Sequence, residues 1–471
     1  MSDRPNREQD GRRRRNMSAG SQSLPIEPLA APWQGEPGLG RDRIFQADWT
    51  WSNGRFLPDL QVAVGSDGRI SEVGALERRV DVRLKNVALL PGFVNAHSHA
   101  FQRGLRGRGE TFPEDKGSFW TWREEMYRLV ESMDALTLLD LCRQAFSEML
   151  AAGITSVGEF HYLHHDQSGE GYGLDEIVLE AAREAGIRMV LLNAFYRWSA
   201  PGRPLQGAQH RFATPSMEDF WEQMDRLDLQ LDAQQSLGVA AHSLRAVGLE
   251  EAALLRREAR KRALPFHIHV EEQQREIEEC LDYYGARPLS LICDHLQPDA
   301  GMTSVHCTHS AAQDMKRYLE AGGGVLICPL TEANLGDGIA DLPSIRALGG
   351  RIALGSDSNA RISMLEEVRW LEYVQRLRRE KRGVLCTDKG HNAAYLLECA
   401  TLSGARSLNL AAGEIVAGRW ADFCAVDLAH PALHDVQPSN LLAAVLLGCD
   451  NACIHSTWVS GQQRSGRPDA G

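Results

Sequence analysis

The stretch "PGFVNAHSHAFQ" at 91–102 decides how this chain folds. An apolar run ends in His97 and His99, two positions apart. Alternate side chains of an extended strand share a face, so both imidazoles project together. A parallel barrel keeps its chemistry at the C-terminal ends of its strands, where this pair would sit. Two imidazoles converging there supply half of a divalent metal site. The alternative is a structural pair of histidines with no ion.

Outward from this stretch, strand and helix patterns alternate. Candidate strands lie at 89–96, 154–160, 187–195, 238–244, 265–270, 302–307, 323–328 and 350–356. Helical stretches follow most of them, at 175–186, 249–263, 271–284, 310–321 and 363–382. Eight apolar strands alternating with helices predict an α/β chain, a (β/α)8 TIM-like barrel over 89–411. An open doubly wound sheet is the alternative, but no GxGxxG opens a first helix. The segment 100–133 is a long insertion after the first strand and is expected to help form the pocket.

The flanks read differently. "DGRI" at 67–70 is a hairpin-like turn, and "ADFCAVDL" at 421–428 and "ACIHSTWVS" at 452–460 read as strands. Residues 41–88 and 412–471 are therefore expected to form one small β-sandwich domain from both termini. Residues 1–40 read as a disordered extension. Arg12 to Arg15 precede no apolar segment, which argues against a signal peptide and against twin-arginine export. Met17 is a candidate natural start.

The 471 residues suit a large barrel plus an accessory domain, and 43% hydrophobic with 24% charged residues is ordinary globular composition. A net charge of −12 gives no general attraction for nucleic acid or an anionic membrane. An anionic substrate would need a local cluster of positive side chains. No run reaches the roughly 18 apolar residues of a membrane span. The 10 cysteines are scattered without a CxxC pair, and Cys307 and Cys328 sit in apolar runs. They read as small buried thiols in a reducing cytoplasm.

Three further motifs carry chemistry. "FHIHVEEQ" at 266–273 places His267 and His269 on one strand face, with Glu272 just beyond. His269, nearer the strand end, is the better ligand, and His267 suits a packed role. "VHCTH" at 305–309 offers His306 as a ligand or proton-transfer group, with His309 at the surface of a helix start. "IALGSDS" at 352–358 ends a buried strand in Asp357, a position more often catalytic than structural in a barrel.

This set resembles the amidohydrolase superfamily over roughly residues 43–460. The resemblance implies that His97, His99, His269 and Asp357 hold metal and that His306 assists catalysis. Two-metal members carry a Lys at the end of strand 4. Here "GVAAHSLR" at 238–245 has neither Lys nor Glu, so one divalent metal is expected, Zn2+ ahead of Fe2+ or Mn2+. The HxxE of His269 and Glu272 resembles the one-metal deaminase branch, where the Glu moves a proton from the metal's water to the substrate nitrogen. Asp357 would also accept a proton from that water.

Longer stretches narrow the match. "HSHAFQRG" at 97–104, "SFWTWREEMYRL" at 118–129, "EFHYLHHD" at 159–166, "AAHSLRAV" at 240–247 and "EEVRWLEYVQRL" at 366–377 resemble the N-formimidoyl-L-glutamate deiminases of histidine degradation. That resemblance implies hydrolysis of N-formimidoyl-L-glutamate to N-formyl-L-glutamate and ammonia. Glu272, His306 and Asp357 would be catalytic. Arg123 and Arg245 would grip the substrate's carboxylates, and Gln102, Tyr162 and His242 would contact it. A small dicarboxylate is then the partner, and a homodimer is common among such proteins. His161, His164 and His165 read as a polar loop lining the pocket. Asn359, in "SDSNARIS" at 356–363, departs from the family pattern at a position expected to bear on substrate fit. The competing functions are a one-metal aminohydrolase acting on a guanine-, cytosine- or adenosine-like ring, and a non-catalytic barrel scaffold. Scaffolds typically lose ligands, and here all the expected ligands are present.

Overall fold

The structure, a computed structural model, describes residues 41–110, 112 and 117–466. The extension expected at 1–40 and part of the 100–133 insertion lie outside them. Five strands come first: β1 (Arg43–Ser52), β2 (Arg55–Pro58), β3 (Gln61–Val64), β4 (Ile70–Gly74) and β5 (Val82–Pro91). Eight follow: β6 (Phe93–Ser98), β7 (Ile154–His161), β8 (Arg188–Phe195), β9 (Gln235–Ala241), β10 (Phe266–Val270), β11 (Met302–His306), β12 (Gly324–Ile327) and β13 (Arg351–Leu354). Three end the described chain: β14 (Phe423–Asp427), β15 (Ile454–Val459) and β16 (Gln462–Gly466).

Strands β6 to β13 pair in sequence order, all in parallel, with helices between them. This is the (β/α)8 barrel. Every residue of β6, β7, β8 and β10 is buried, as expected of strands covered on one face by helices and on the other by the barrel interior. The last strand meets the first through a parallel bridge between Ser98 and Asp357. The Asp357 N–H donates to the His97 carbonyl at 3.0 Å, and the His99 N–H donates to the Asp357 carbonyl at 2.9 Å. Two expected ligand segments therefore complete the ring.

The flanking strands form a second sheet in the order β16-β15-β14-β5-β1-β3-β4, with β2 on β1. Its pairs are antiparallel except β1 with β5. Its own core contains Phe45, Val62, Leu84, Phe423 and Trp458. The Phe45 ring meets Phe423 and Trp458 edge-on at 5.7 and 5.3 Å. The single strand expected at 89–96 is in fact divided between the two sheets. β5 pairs with β14 as far as Pro91, and β6 starts at Phe93. The division falls at Gly92, where a Cβ would collide with the Thr155 side chain. The uninterrupted apolar character on both sides hides this change of partner. Across the seam, Arg188 at the start of β8 grips Asp422 through two bonds of 2.8 and 3.1 Å, and both residues are buried. No helix among the described residues is long and apolar enough to cross a membrane.

Gly355 lies just past β13, where a Cβ would stand 2.7 Å from the His97 Cβ and 2.8 Å from its carbonyl oxygen. Neither atom can move without shifting β6. Gly355→Ala should lower unfolding stability by about 1–3 kcal/mol and reduce the metal content of the purified protein. Denaturant unfolding together with elemental analysis measures both.

Candidate active site

The site is assembled from backbone turns at strand ends. His306 and Asp357 have φ of +72° and +48°, left-handed values that non-glycine residues seldom adopt. Such strain persists where surrounding bonds over-determine it. For Asp357 those bonds are the barrel-closing pair described above. For the β11 end, the Cys307 N–H donates to the Val270 carbonyl at 3.0 Å.

His97, His99 and His269 present ring nitrogens within 4.8 Å of one another. His99 donates from Nδ1 to the Phe160 carbonyl at 2.7 Å, and His269 donates from Nδ1 to the His242 carbonyl at 2.8 Å. Those bonds leave the Nε2 lone pairs facing inward, the tautomer a metal ligand needs. Burial, followed by the neighbouring His97, pushes the His99 pKa down to about 3. Burial also lowers His97 and His269. The Nε2 atoms of His97 and His269 are 3.1 Å apart, and two lone pairs at that distance repel unless a cation or proton lies between them. Asp357 Oδ1 is 3.5 Å from His97 Nε2 and 3.3 Å from His99 Nε2. Burial opposes its charge, but the hydrogen bond and charges of the histidines prevail and hold its pKa well below the usual carboxylate range. Neutral imidazoles crowded beside a carboxylate are chemically suited to one divalent cation.

On the far side of this cluster, His306 Nε2 is 3.7 Å from Asp357 Oδ2 and 3.8 Å from Glu272 Oε1. Its Nδ1 contacts Glu332 Oε1 at 3.3 Å. Burial works against a charge on His306, but Glu272, the bond to Glu332 and Asp357 outweigh it and raise its pKa to about 10. Burial is the main influence raising the Glu272 carboxyl, with Asp357 adding to it and His306 opposing. Glu272 belongs to the link between β10 and the helix Gln274–Tyr284, not to the helix itself.

Above these groups is a pocket lined by His99, Gln102, Arg123, Tyr162, His242, Arg245, His269, Glu272, His306 and Asp357. The expected site residues thus converge, with the fully buried His97 beside them. Gln102 donates to the Tyr162 hydroxyl at 2.7 Å, and His242 is kept neutral by burial and by the nearby Arg245. The insertion after β6 contributes Phe119, Trp122, Arg123, Met126 and Tyr127 from the helix Phe119–Ser132.

Tyr127, Tyr196 and Glu332 were not expected at the site, and Cys328 was expected only as a small buried thiol. Tyr127 could have been found, because it stands four residues after Arg123 and shares its helix face. Arg123 lies 5.2 Å from the Tyr127 ring centroid, and its charge acts on the Tyr127 and Tyr196 hydroxyls. Gln209 bridges the same hydroxyls at 3.0 and 3.2 Å. Tyr196, just past β8, and Glu332, after β12, carry no comparable signal. Cys328 lies within reach of His306 and Asp357, but burial and then acidic neighbours keep its thiol protonated, which disfavours ligation.

Two expectations change. His161, His164 and His165 are absent from the pocket lining. His164 donates to Asp175 at 2.8 Å and to the Ala194 carbonyl at 2.7 Å, and His161 lies 3.1 Å from the same carboxylate. Strand alternation turns His161 outward and Tyr162 inward. Asn359 is also not a pocket residue. It is fully buried, donates to Ser98 Oγ at 3.0 Å and accepts from Ser356 Oγ at 2.6 Å, bracing the barrel seam. His267 donates to the Ser407 carbonyl at 2.9 Å, a packed role.

With this geometry in view, the sequence comparisons agree with it. Residues 88–464 match the Amidohydrolase family. The chain belongs to that family. It is a metal-dependent hydrolase. A formimidoylglutamate deiminase of Pseudomonas aeruginosa is 36% identical over 411 residues, covering 86% of this chain and 90% of that protein. A 5-methylthioadenosine/S-adenosylhomocysteine deaminase of Natronomonas pharaonis is 27% identical, covering 83% of this chain and 84% of its own. The crystal structure of an amidohydrolase from Brucella melitensis superposes with a TM-score of 0.82 at 32% identity, covering 90% of this chain and 95% of that one.

Substitution separates the two histidines of β10. His269→Ala should lose bound metal on elemental analysis of the purified protein. His267→Gln should keep its metal and lower stability by about 1–3 kcal/mol, the cost of disturbing a buried hydrogen bond.

Proposed function

We propose that this hydrolase converts N-formimidoyl-L-glutamate and water into N-formyl-L-glutamate and ammonia, a step of histidine degradation. The observation that carries the proposal is the state of the two pocket arginines. Neither Arg123 nor Arg245 forms an ion pair with a carboxylate among the described residues, and Arg245 Nη1 is buried without a hydrogen-bond partner. An unpaired guanidinium facing a pocket in a chain of net charge −12 calls for an anionic substrate. The 36% identical relative, called a formimidoylglutamate deiminase, supports the same choice.

In this proposal His97, His99, His269 and Asp357 hold one divalent ion, with Zn2+ favoured by a nitrogen-rich ligand set. When bound, such an ion makes water nucleophilic near neutral pH. The chain's own groups do the rest. Arg123 and Arg245 take the two carboxylates, while Gln102, Tyr162 and His242 bound the space between them and the metal cluster. This sets the formimidoyl carbon facing Glu272 and His306. The water oxygen adds to that carbon, and the carbon–nitrogen bond to the terminal nitrogen breaks. Both protons of the water end on the departing nitrogen. Glu272, whose raised pKa suits it to carry a proton, delivers one, and Asp357 is placed to accept the other on its way. His306, anchored by Glu332, orients the attacking oxygen or offsets its developing charge. Ten free cysteines suit a cytoplasmic setting.

A second possibility has one observation in its favour. Phe119, Trp122, Tyr127, Tyr162, Tyr196 and Phe212 line the pocket, and such rings could stack on a purine-like substrate. The deaminase relatives named for 5-methylthioadenosine and S-adenosylhomocysteine point the same way. Ammonia release decides between them, using metal-loaded enzyme with N-formimidoyl-L-glutamate beside 5-methylthioadenosine, guanine and cytosine. Turnover of the formimidoyl compound is expected, and its absence would sink the proposal. Arg245→Ala should raise KM for it by about 10- to 100-fold. Glu272→Gln should keep the metal and lower kcat by about 100- to 10,000-fold.

A further inference from the structure

The opposite end of the barrel holds a second cavity, about 590 Å3 in volume, beneath the starts of β10, β11 and β13. Arg256, Arg260, Arg351, Arg406 and Arg419 all line it. The one carboxylate in its lining is Asp299, already engaged by Arg256 at 2.5 Å and Arg260 at 3.3 Å. Arg419 pairs with Glu414 at 3.0 Å. Arg351 donates to the Ala300 carbonyl at 3.1 Å, and no carboxylate among the described residues pairs with Arg351 or Arg406.

Two of these guanidinium groups are left incomplete. Arg256 is 3% exposed, and the Nε atoms of Arg256 and Arg351 are both buried without a hydrogen-bond partner. Arg351 lies across the floor of the barrel, where a Cβ on Gly324 would collide with its guanidinium. Burial lowers the Arg351 pKa, Tyr318 opposes this, and the like charge of the nearby Arg406 lowers it further. A chain of net charge −12 has acidic side chains to spare, yet this cavity draws on one.

We propose that this basal cavity is a binding site for a small polyanion, a molecule with two or more phosphate or carboxylate groups held chiefly by Arg351 and Arg406. Guanidinium forks match both oxyanions, and several of them around one space favour more than one charged group. The volume suits a metabolite-sized ligand. The cavity lining has no histidine, cysteine or unpaired carboxylate to act as acid, base or nucleophile, so the site binds and does not catalyse. Its occupant would also touch the anchor of a metal-site strand. Arg406 precedes Ser407, whose carbonyl accepts from His267 on β10.

Isothermal titration calorimetry on the metal-loaded full chain tests this, with fructose 1,6-bisphosphate as the phosphate probe and tricarballylate as the carboxylate probe. Sodium chloride at equal ionic strength is the control. Saturable binding of at least one probe, near one per chain, is expected. Arg351→Ala/Arg406→Ala should weaken it by about tenfold or more, and a saturable signal should persist in Arg245→Ala, which removes only the carboxylate grip of the catalytic pocket. If the double variant fails to fold, the exposed Arg406→Gln alone should still weaken binding. The proposal is overturned if neither probe binds saturably at millimolar concentration, if the basal variants bind as well as the parent, or if Arg245→Ala abolishes the signal. The last result would assign the binding to the catalytic pocket, and none of these outcomes bears on which substrate is hydrolysed.

Discussion

The pairing of β6 with the segment after β13 is the constraint on which the rest of the molecule depends. Two backbone hydrogen bonds tie His97 and His99 to Asp357, and the same two bonds close the barrel. Ring closure and ligand placement are therefore one event. The segment past β13 is forced through left-handed backbone at Asp357 and Asn359, and Gly355 leaves room for it against His97. Asn359 then holds Ser98 from the other side. A barrel can close at many points around its circumference. Here the closing bonds are those that aim the imidazoles and the carboxylate at one point.

Around that point the electrostatics divide. Toward β6 and β10 burial keeps imidazoles neutral, with their lone pairs facing inward. Toward β11 the acidic groups Glu272, Glu332 and Asp357 surround His306 and favour its proton. Beyond both lie two arginines and two phenols, joined by Gln209. Neutral imidazoles, a protonated histidine among carboxylates and a pair of guanidinium groups thus follow one another within a single pocket. They draw on several strand ends and on the helix Phe119–Ser132, and Asp357 faces both the imidazole cluster and His306.

Much of this was legible in the sequence because the informative features are short and periodic. Eight buried strands reveal themselves as apolar runs, alternation puts each histidine pair on one strand face, and distance from the strand end separates His269 from His267. Tyr162 was expected in the pocket from the family resemblance alone; strand alternation, which turns the preceding His161 away from it, explains why the histidine cluster of that stretch does not line it. The division of β5 from β6 was hidden, since an apolar run looks the same whether its partner is a barrel or a flanking sheet. Glu332 and Tyr196 were invisible for a different reason: their roles depend on which strand ends become neighbours, and nothing local encodes that. Asn359 was linked to substrate fit because it departs from the family pattern, yet its side chain turns to the seam.

The apolar run that leads into His97 and His99 is shared at its start with a sheet completed by strands that follow the barrel. Pro91 and Leu90 pair with Phe423 and Cys424, roughly three hundred residues later. During synthesis the first half of the protein therefore emerges with both its flanking sheet and its barrel unfinished, and contacts of such long range form slowly. Asp357 has to emerge before β6 can close the barrel, and Phe423–Asp427 before β5 finds β14. A nascent chain that has not yet emerged past Asp357 lacks one of the four residues proposed to hold the ion.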